Sequence, residues 1–582
     1  MQNPSSAASP QKPVSDLWHF IRSLLRDEKQ FYWLAIIYGI GISLLTLAVP
    51  ISVQMLINTV ANTGLKTPLI GLSVTLFVLL MVSGLLNALR IHLMELFGRR
   101  FYARLVAEIT LKTLYAQNPF FTDAGKNTLF NRYFDIVTVQ KAVPYLLIGG
   151  FTIILQALVG FTIVSLYHPL FLGFNIGLVL LIWAVWGVWG NRAMLSAVAL
   201  SHTKHNVAGW IESLGASNGY YKSRKHIERA LEQSDKKTAD YINSTKHHFK
   251  YTFSQALAFL VIYALASALL LGIGGWLVIN GELSLGQLVA AELILSAVFY
   301  GISQLGDYLA SFYDLTAATE ELAHFFDVPQ EVPAGTLTPR KGAKDLIFAQ
   351  ASGFARHEHV TFNLEIKAGA SIFCAAPNAA VQRLFTDFLK HHERPHHGIV
   401  SFTGTDVLDI EVHELRQLIT ILDRPTLIPG TIRNFLKAAE YEGQTIQPLE
   451  AIKIVGLEST IQSLSDGMDT QLSLTGAPLS LVEVLKLKLA AALIAEPQVL
   501  VLTQLFDALP APVLERTLTA IKANTGASIL YFSNRISACG FDQFMLMASD
   551  TQLIIEKPED FFMLRDRPFS SQPQNQTQEL AS

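Results

Sequence analysis

The sequence predicts an α-helical membrane domain of six spans followed by an α/β domain. Three observations carry this reading. Stretches free of charged residues and long enough to cross a bilayer recur up to residue 281, and one more apolar run, broken by two acidic residues, extends to about 313. The text then changes at a Pro-, Gly- and Lys-containing segment, DVPQEVPAGTLTPRKGAKD, at 327–345. Beyond it, short β-type runs alternate with helical ones, the pattern of a parallel sheet. Composition agrees: of 582 residues, 51% are hydrophobic and 16% charged, and the formal net charge is −3. Those values exclude a disordered chain, a basic nucleic-acid binder and a purely cytosolic enzyme.

No Asp, Glu, Lys or Arg occurs in residues 31–57, 67–89, 142–191 or 251–281. A helix needs about 20 apolar residues to cross the hydrocarbon, so 142–191 holds two spans, divided at His168-Pro169. A sixth runs from Leu283 to about Tyr313, interrupted by Glu292 and Asp307. Ionisable groups within a span face a bundle interior or water, which makes these two candidate lumen-lining residues. Pro50 predicts a kink in the first span. Trp183, Trp186 and Trp189 predict an interfacial belt near one end of the fourth. Eight Lys and Arg lie between 90 and 141 and ten between 192 and 250, whereas the opposite loops offer Lys66. Positive residues collect on the cytoplasmic side. Both long segments and both termini are therefore expected there, in a multi-pass protein of the inner (plasma) membrane. The polar N-terminus has no apolar h-region, so no cleaved signal peptide is expected.

In the second half, DLIFA at 345, SIFCA at 371, GIVSF at 398, LITIL at 418, QVLVL at 498 and ASILYF at 527 read as strands. Residues 380–391 and 480–495 read as helices. The expected organisation is a disordered tail at 1–20, a six-span domain at 21–326, a linker at 327–345, an α/β domain at 346–567 and a disordered tail at 568–582. Two cysteines, Cys374 and Cys539, are too few for a disulfide framework and lie far apart, which excludes a zinc ribbon as well, and Cys374 reads as core. The run KHHERPHHG at 390–398, punctuated by Pro395 and Gly398, reads as an exposed turn, and no metal site is expected.

Local text adds a resemblance. NPFFTDAGKNTLFNRYFDIVTV (118–139), with Gly125, Arg132 and Asp135 in step, resembles the first intracellular loop of ATP-binding cassette (ABC) exporters. LSDGMDTQLSLTGAPLS (464–480) resembles the segment leading into that family's signature helix, and TLIPGTIRNFL (426–436) the segment after its glutamine loop. The match runs from about residue 20 to 565. It implies a half-transporter: a six-helix exporter domain fused to a P-loop-type cassette domain that binds ATP and Mg between two chains.

Position by position, the nucleotide motifs depart from the family pattern. A phosphate loop needs glycines for a nest of backbone N–H groups, a Lys for the β/γ phosphates and a Ser or Thr for magnesium. In GASIFCAAPNAAVQRLF (369–385) the glycine counterparts are Ala376, Ala379 and Val381, the lysine is Gln382, and the magnesium ligand is Arg383. The strand QVLVLTQLFDAL (498–509) ends in Thr503 and Gln504 where the family has Asp for magnesium and Glu for the attacking water. Asn534 matches the switch histidine and Asp423 the sensing glutamine. The signature counterpart is LSLVE (479–483): Ser480 survives, but Leu481 and Val482 replace glycines and Glu483 adds a negative charge. No GK[ST] triplet occurs elsewhere in the chain.

The sequence thus predicts no catalytic residue and no nucleotide bound by this chain alone, with ATP and Mg engaged only through a partner. That partner is a second half-transporter, identical or different, in a lipid membrane. Helices near 112–120 and 207–217 are expected to dock on cassette domains. The implied function is that of an exporter subunit working by alternating access; the alternative is a non-transporting membrane scaffold or regulator that retains the fold. The substrate is not legible.

Overall fold

The computed structural model describes residues 20, 22–24, 26–62, 66–117, 121, 127–331, 335–338, 345–376, 378–536 and 540–565. Gly125, Cys539, residues 118–120 of the first docking segment, parts of the linker and nearly all of both tails lie outside them. The chain divides into two units, Met1–Glu331 and Val332–Ser582.

The first unit is helical: α1 (Lys29–Leu45), α2 (Ala48–Asn62), α3 (Lys66–Leu114), α4 (Asp135–Tyr145), α5 (Phe151–Ser165), α6 (Pro169–Ala216), α7 (Arg224–Ile279), α8 (Leu285–Ser303) and α9 (Leu305–Phe326). Among the described residues, six stretches are long and apolar enough to cross a membrane, at 29–57, 69–114, 129–165, 169–216, 224–279 and 285–303. Five of them overlap the charge-free stretches, and the last lies in the run interrupted by Glu292. α7 has 56 residues, about 84 Å at 1.5 Å per residue, far more than the roughly 30 Å hydrocarbon core. The long helices therefore continue well beyond any membrane. Val74, Phe77, Val78, Met81 and Leu85 lie exposed along α3, an apolar surface of the kind that faces lipid.

Local chemistry sets the ends. His168 caps α6, its Nδ1 accepting from Leu170 N at 3.2 Å, with Pro169 at the first helical position. Ser284 and Gln287 form a capping box at α8. The first span breaks at Thr46–Leu47, one turn before Pro50, because a proline lacks the N–H for the carbonyl four residues back and crowds it. In the third span a π-helical turn, Leu146–Gly150, follows Pro144. There a Cβ on Gly149 would lie 2.3 Å from Tyr308 Oη, so glycine admits the Tyr308 ring, which stacks on Tyr145 at 4.9 Å. The sixth span breaks at Gln304, between α8 and α9.

The second unit contains β1 (Leu346–Ala355), β2 (Glu358–Ile366), β3 (Ser371–Ala375), β4 (His397–Phe402), β5 (Thr405–Asp406), β6 (Ile419–Leu422), β7 (Gly430–Thr431), β8 (Gln471–Leu472), β9 (Val499–Leu502), β10 (Ser528–Phe532), β11 (Gln543–Met547) and β12 (Gln552–Ile555). Six strands form one sheet in the order β12-β11-β3-β10-β9-β6, parallel except for β12. The runs at 345 and 398 depart from the expected single parallel sheet. As β1 and β4 they join β2 and β5 in a separate antiparallel sheet. The reason is visible in burial: β3, β9 and β10 are buried at every residue, whereas β2 alternates toward one buried face, the signature of a one-sided antiparallel sheet. Apolar cores lie on both faces of the parallel sheet. The helix α10 (Ala379–Leu389) follows β3, and α11 (Leu481–Ala495) precedes β9.

Candidate functional site

The carboxyl end of a parallel sheet, where strands hand over to helices, is where ligands bind in open α/β folds. Here β3 hands over to α10. Asn378 caps this helix: its Oδ1 accepts from Ala380 N at 2.9 Å, and its carbonyl oxygen accepts from Val381 N at 3.0 Å and Gln382 N at 3.4 Å. Neither Ala376 nor any residue from Asn378 to Arg383 has a positive φ. Val381 is 1% exposed and belongs to the core. The first N–H groups of α10 thus point back at the cap residue rather than forming a nest.

Gln382 and Gln504, 122 residues apart in sequence, meet directly. Gln504 Nε2 donates to Gln382 Oε1 at 2.9 Å, and Gln382 is buried. Thr503, also buried, donates from Oγ1 to Leu422 O at 3.3 Å. Arg383 occupies the position of the magnesium ligand. Half-exposed, it runs along α10 to Asp387, Nε to Oδ2 at 3.7 Å. Asn534 engages through its backbone, its N–H donating to Asp507 Oδ2 at 2.9 Å. Asp507 also accepts from Ser533 Oγ at 2.6 Å and from the Tyr531 hydroxyl. Burial, with that hydrogen bond, pushes the Tyr531 phenol up. Sequence reasoning passed over Asp507, although LFDAL stood beside Gln504. Asp423 is exposed; burial lowers the Lys390 and Lys488 ammonium groups, and the Asp423 carboxylate opposes that shift in both.

The start of α11 closes on itself. Glu483 Oε2 accepts from Ser480 N at 2.8 Å and from Ser480 Oγ at 2.7 Å, while Ser480 Oγ accepts from Glu483 N at 3.4 Å. Thr460 Oγ1 donates to Glu483 Oε1 at 3.2 Å. These donors, the Ser480 N–H foremost, hold the Glu483 carboxyl below the usual carboxylate range. Leu481 is half exposed and Val482 packs on the core. The charge at the helix start is thus already negative and already hydrogen-bonded.

In the helical unit, two residues of the first-loop resemblance anchor ion pairs. Asp135 accepts from Lys204 Nζ at 2.9 Å and pairs with His205 Nε2 at 2.6 Å. Arg132 Nε lies 2.9 Å from Glu321 Oε2. Trp210 Nε1 donates to Ser234 Oγ at 2.8 Å, tying the end of α6 to α7. Glu292 is half-buried and accepts from Ser296 Oγ at 2.7 Å; Asp307 is exposed in the first turn of α9. His391, His392 and His396 lie on the turn between α10 and β4, and His397 opens β4. Among the described residues, one group of His and carboxylate side chains brings its ligand atoms within 4.8 Å of one another: His202, Glu320, Glu321 and His324. The sequence reading did not single it out. EExxH is legible in EELAH, but His202 lies more than 100 residues away.

No family model matches the chain. It is 24% identical over 559 residues to the ABC multidrug transporter mdr2 of Aspergillus fumigatus, covering 90% of this chain and 68% of that one. It is 21% identical over 580 residues to the lactococcin-A transport/processing ATP-binding protein LcnC of Lactococcus lactis, covering 97% of this chain and 79% of that one. With the leukotoxin translocation ATP-binding protein LktB of Mannheimia glucosida it shares 22% identity over 510 residues, 85% of this chain and 70% of the other. Among solved structures, a bacterial Atm1-family ABC exporter with ATP bound superposes with a TM-score of 0.77 at 16% identity, covering 94% of this chain and 97% of that chain.

Proposed function

The chain is built as an ABC exporter of the half-transporter type, a transmembrane domain fused to a cassette domain, and from that premise we propose that it is a transporter subunit whose own nucleotide site does not turn over ATP. One observation carries the reading: the side chain in the phosphate lysine's position and the side chain in the catalytic glutamate's position are neutral amides hydrogen-bonded to each other at 2.9 Å. A glutamine can hold a water but cannot accept its proton. No cation reaches the β/γ phosphates from Gln382, and Thr503 has no carboxylate for magnesium. The first N–H groups of α10 are bonded to Asn378. The residues present therefore do not fit a magnesium–triphosphate group, and no step through one is assigned to them.

The subunit works with a second half-transporter, both termini in the cytoplasm, the docking helix around Trp210 engaging the partner's cassette domain and Glu292 and Asp307 lining the path. The partner supplies the ATP chemistry. The signature start of α11 serves it weakly, because Glu483 already occupies the donors at Ser480. The test is equilibrium titration of the purified full-length chain with Mg-ATP, in detergent, without a partner. No saturable binding is expected up to millimolar nucleotide. A micromolar Kd abolished by substitutions at Gln382 would overturn the reading.

A further inference from the structure

We propose that His202, Glu320, Glu321 and His324 form a binding site for a divalent transition-metal ion of the zinc type, joining α6 to α9 beyond the apolar part of the helix bundle. The placement follows from packing. Ala193, Ala197 and Val198 of α6 pack against Tyr313 and Ala317 of α9, and the small residues let the two helices run close. Continuing along both brings His202 level with Glu320 and Glu321. On α9, residues 320 and 324 are one turn apart and share a face, so His324 joins from the same side.

The donor set is two imidazoles and two carboxylates, ligands that suit zinc and its neighbours in the first transition row. One of the short separations is a hydrogen bond, His202 to Glu320, and the other two are too long to be. His202 Nε2 is 2.8 Å from Glu320 Oε2, but it is 3.7 Å from Glu321 Oε1, and His324 Nε2 is 3.6 Å from Glu320 Oε1. Ligand atoms about 2.0–2.1 Å from a tetrahedral ion lie about 3.3 Å from one another. The four ligand atoms, all within 4.8 Å, close on an ion with movements on the order of 1 Å.

A second observation is independent of that spacing. Glu321 is fully buried, yet neither carboxylate oxygen accepts a hydrogen bond, and His324 Nε2 also has no hydrogen-bond partner. Buried carboxylates are ordinarily paired and hydrogen-bonded. Arg132 Nε, 2.9 Å from Glu321 Oε2, balances one of the two carboxylate charges. Lys204 and His205 are engaged by Asp135. A protonated His202, hydrogen-bonded to Glu320, would balance the other; a divalent cation replaces that proton and supplies the partner that Glu321 Oε1 and His324 Nε2 lack.

The experiment uses the full-length chain in detergent, stripped with chelator, then loaded with zinc and separated by gel filtration for elemental analysis. One zinc per chain is expected, together with a rise in Tm, since an ion that binds only the folded state stabilises it. Cobalt substitution is expected to give the intense visible absorption of a four-coordinate N/O site. Glu321→Gln and, separately, His324→Gln are each expected to weaken zinc binding at least tenfold. A variant with His391, His392, His396 and His397 all changed to Gln is expected to bind as the parent does. If one of the two cluster variants fails to elute as a single species, the other decides. No retained zinc, an unchanged Tm at saturating zinc, or binding lost only in the turn-histidine variant would overturn the proposal.

Discussion

Restoring the nucleotide chemistry side chain by side chain, with Gln382→Lys, Arg383→Ser, Thr503→Asp and Gln504→Glu together, is expected to leave the chain without ATPase activity. The four substitutions supply the cation, the hydroxyl and the two carboxylates, and they replace the Gln382–Gln504 amide contact with an ion pair. They leave the backbone unchanged. Ala380, Val381 and residue 382 still donate their N–H groups to Asn378, and no described residue from 376 to 383 takes a positive φ. One missing preorganised donor costs about 100- to 1,000-fold in rate. Two missing donors acting independently cost at least about 10,000-fold. From a typical kcat of about 10 per second, that leaves about one turnover in 15 minutes or fewer. Phosphate release from the full-length quadruple variant, with and without vanadate, is the assay. Adding Ala376→Gly, Ala379→Gly and Val381→Gly is expected to restore nucleotide binding but not turnover, because the Ser480–Glu483 box still closes the start of α11. Vanadate-sensitive hydrolysis at 0.1 per second or faster from the quadruple variant, about two orders of magnitude above this expectation, would refute the reasoning.

Four further outcomes are expected. Ser480→Ala removes the α11 cap at a cost of about 1 kcal/mol, read as roughly fivefold faster amide exchange in the first turns of 481–495. The Glu483 carboxyl is held below its ordinary 4.5 by the Ser480 donors; its contribution is fully present above that value and is lost as the pH falls through the lower, folded-state value. Exchange in α11 should accelerate in acid in the parent and lose that limb in Glu483→Gln. Gly149→Ala places a methyl 2.3 Å from Tyr308 Oη; the overpacking is expected to cost about 1–3 kcal/mol, seen as a lower Tm and partly relieved by Tyr308→Ala. Cysteines placed at Trp210 or Ser213 are expected to crosslink to a partner's cassette domain in membranes, and crosslinks within one chain alone would contradict the proposed docking.

The membrane half was legible because its physics is one-dimensional. A span needs about 20 apolar residues in a row whatever surrounds it, so charge-free stretches located five spans and an apolar run interrupted by Glu292 and Asp307 the sixth. Strands β3, β9 and β10 were legible for the same reason, as continuous apolar runs. Sheet membership was not: β1 and β4 read like the others, and only pairing with β2 and β5 assigned them to a second, antiparallel sheet. That Ala376, Ala379, Val381, Gln382, Thr503 and Gln504 are neither glycines, a lysine nor an acidic pair was plain in residue identity alone. What folding added is how the positions are used. Gln382 and Gln504 bond each other, Asn378 and Glu483 close the two helix starts, and Arg383 turns along its own helix. Of the His202–Glu320–Glu321–His324 group only EELAH was legible, because His202 comes from a helix more than 100 residues away. Such a set exists only where packing of α6 on α9 brings the two stretches level.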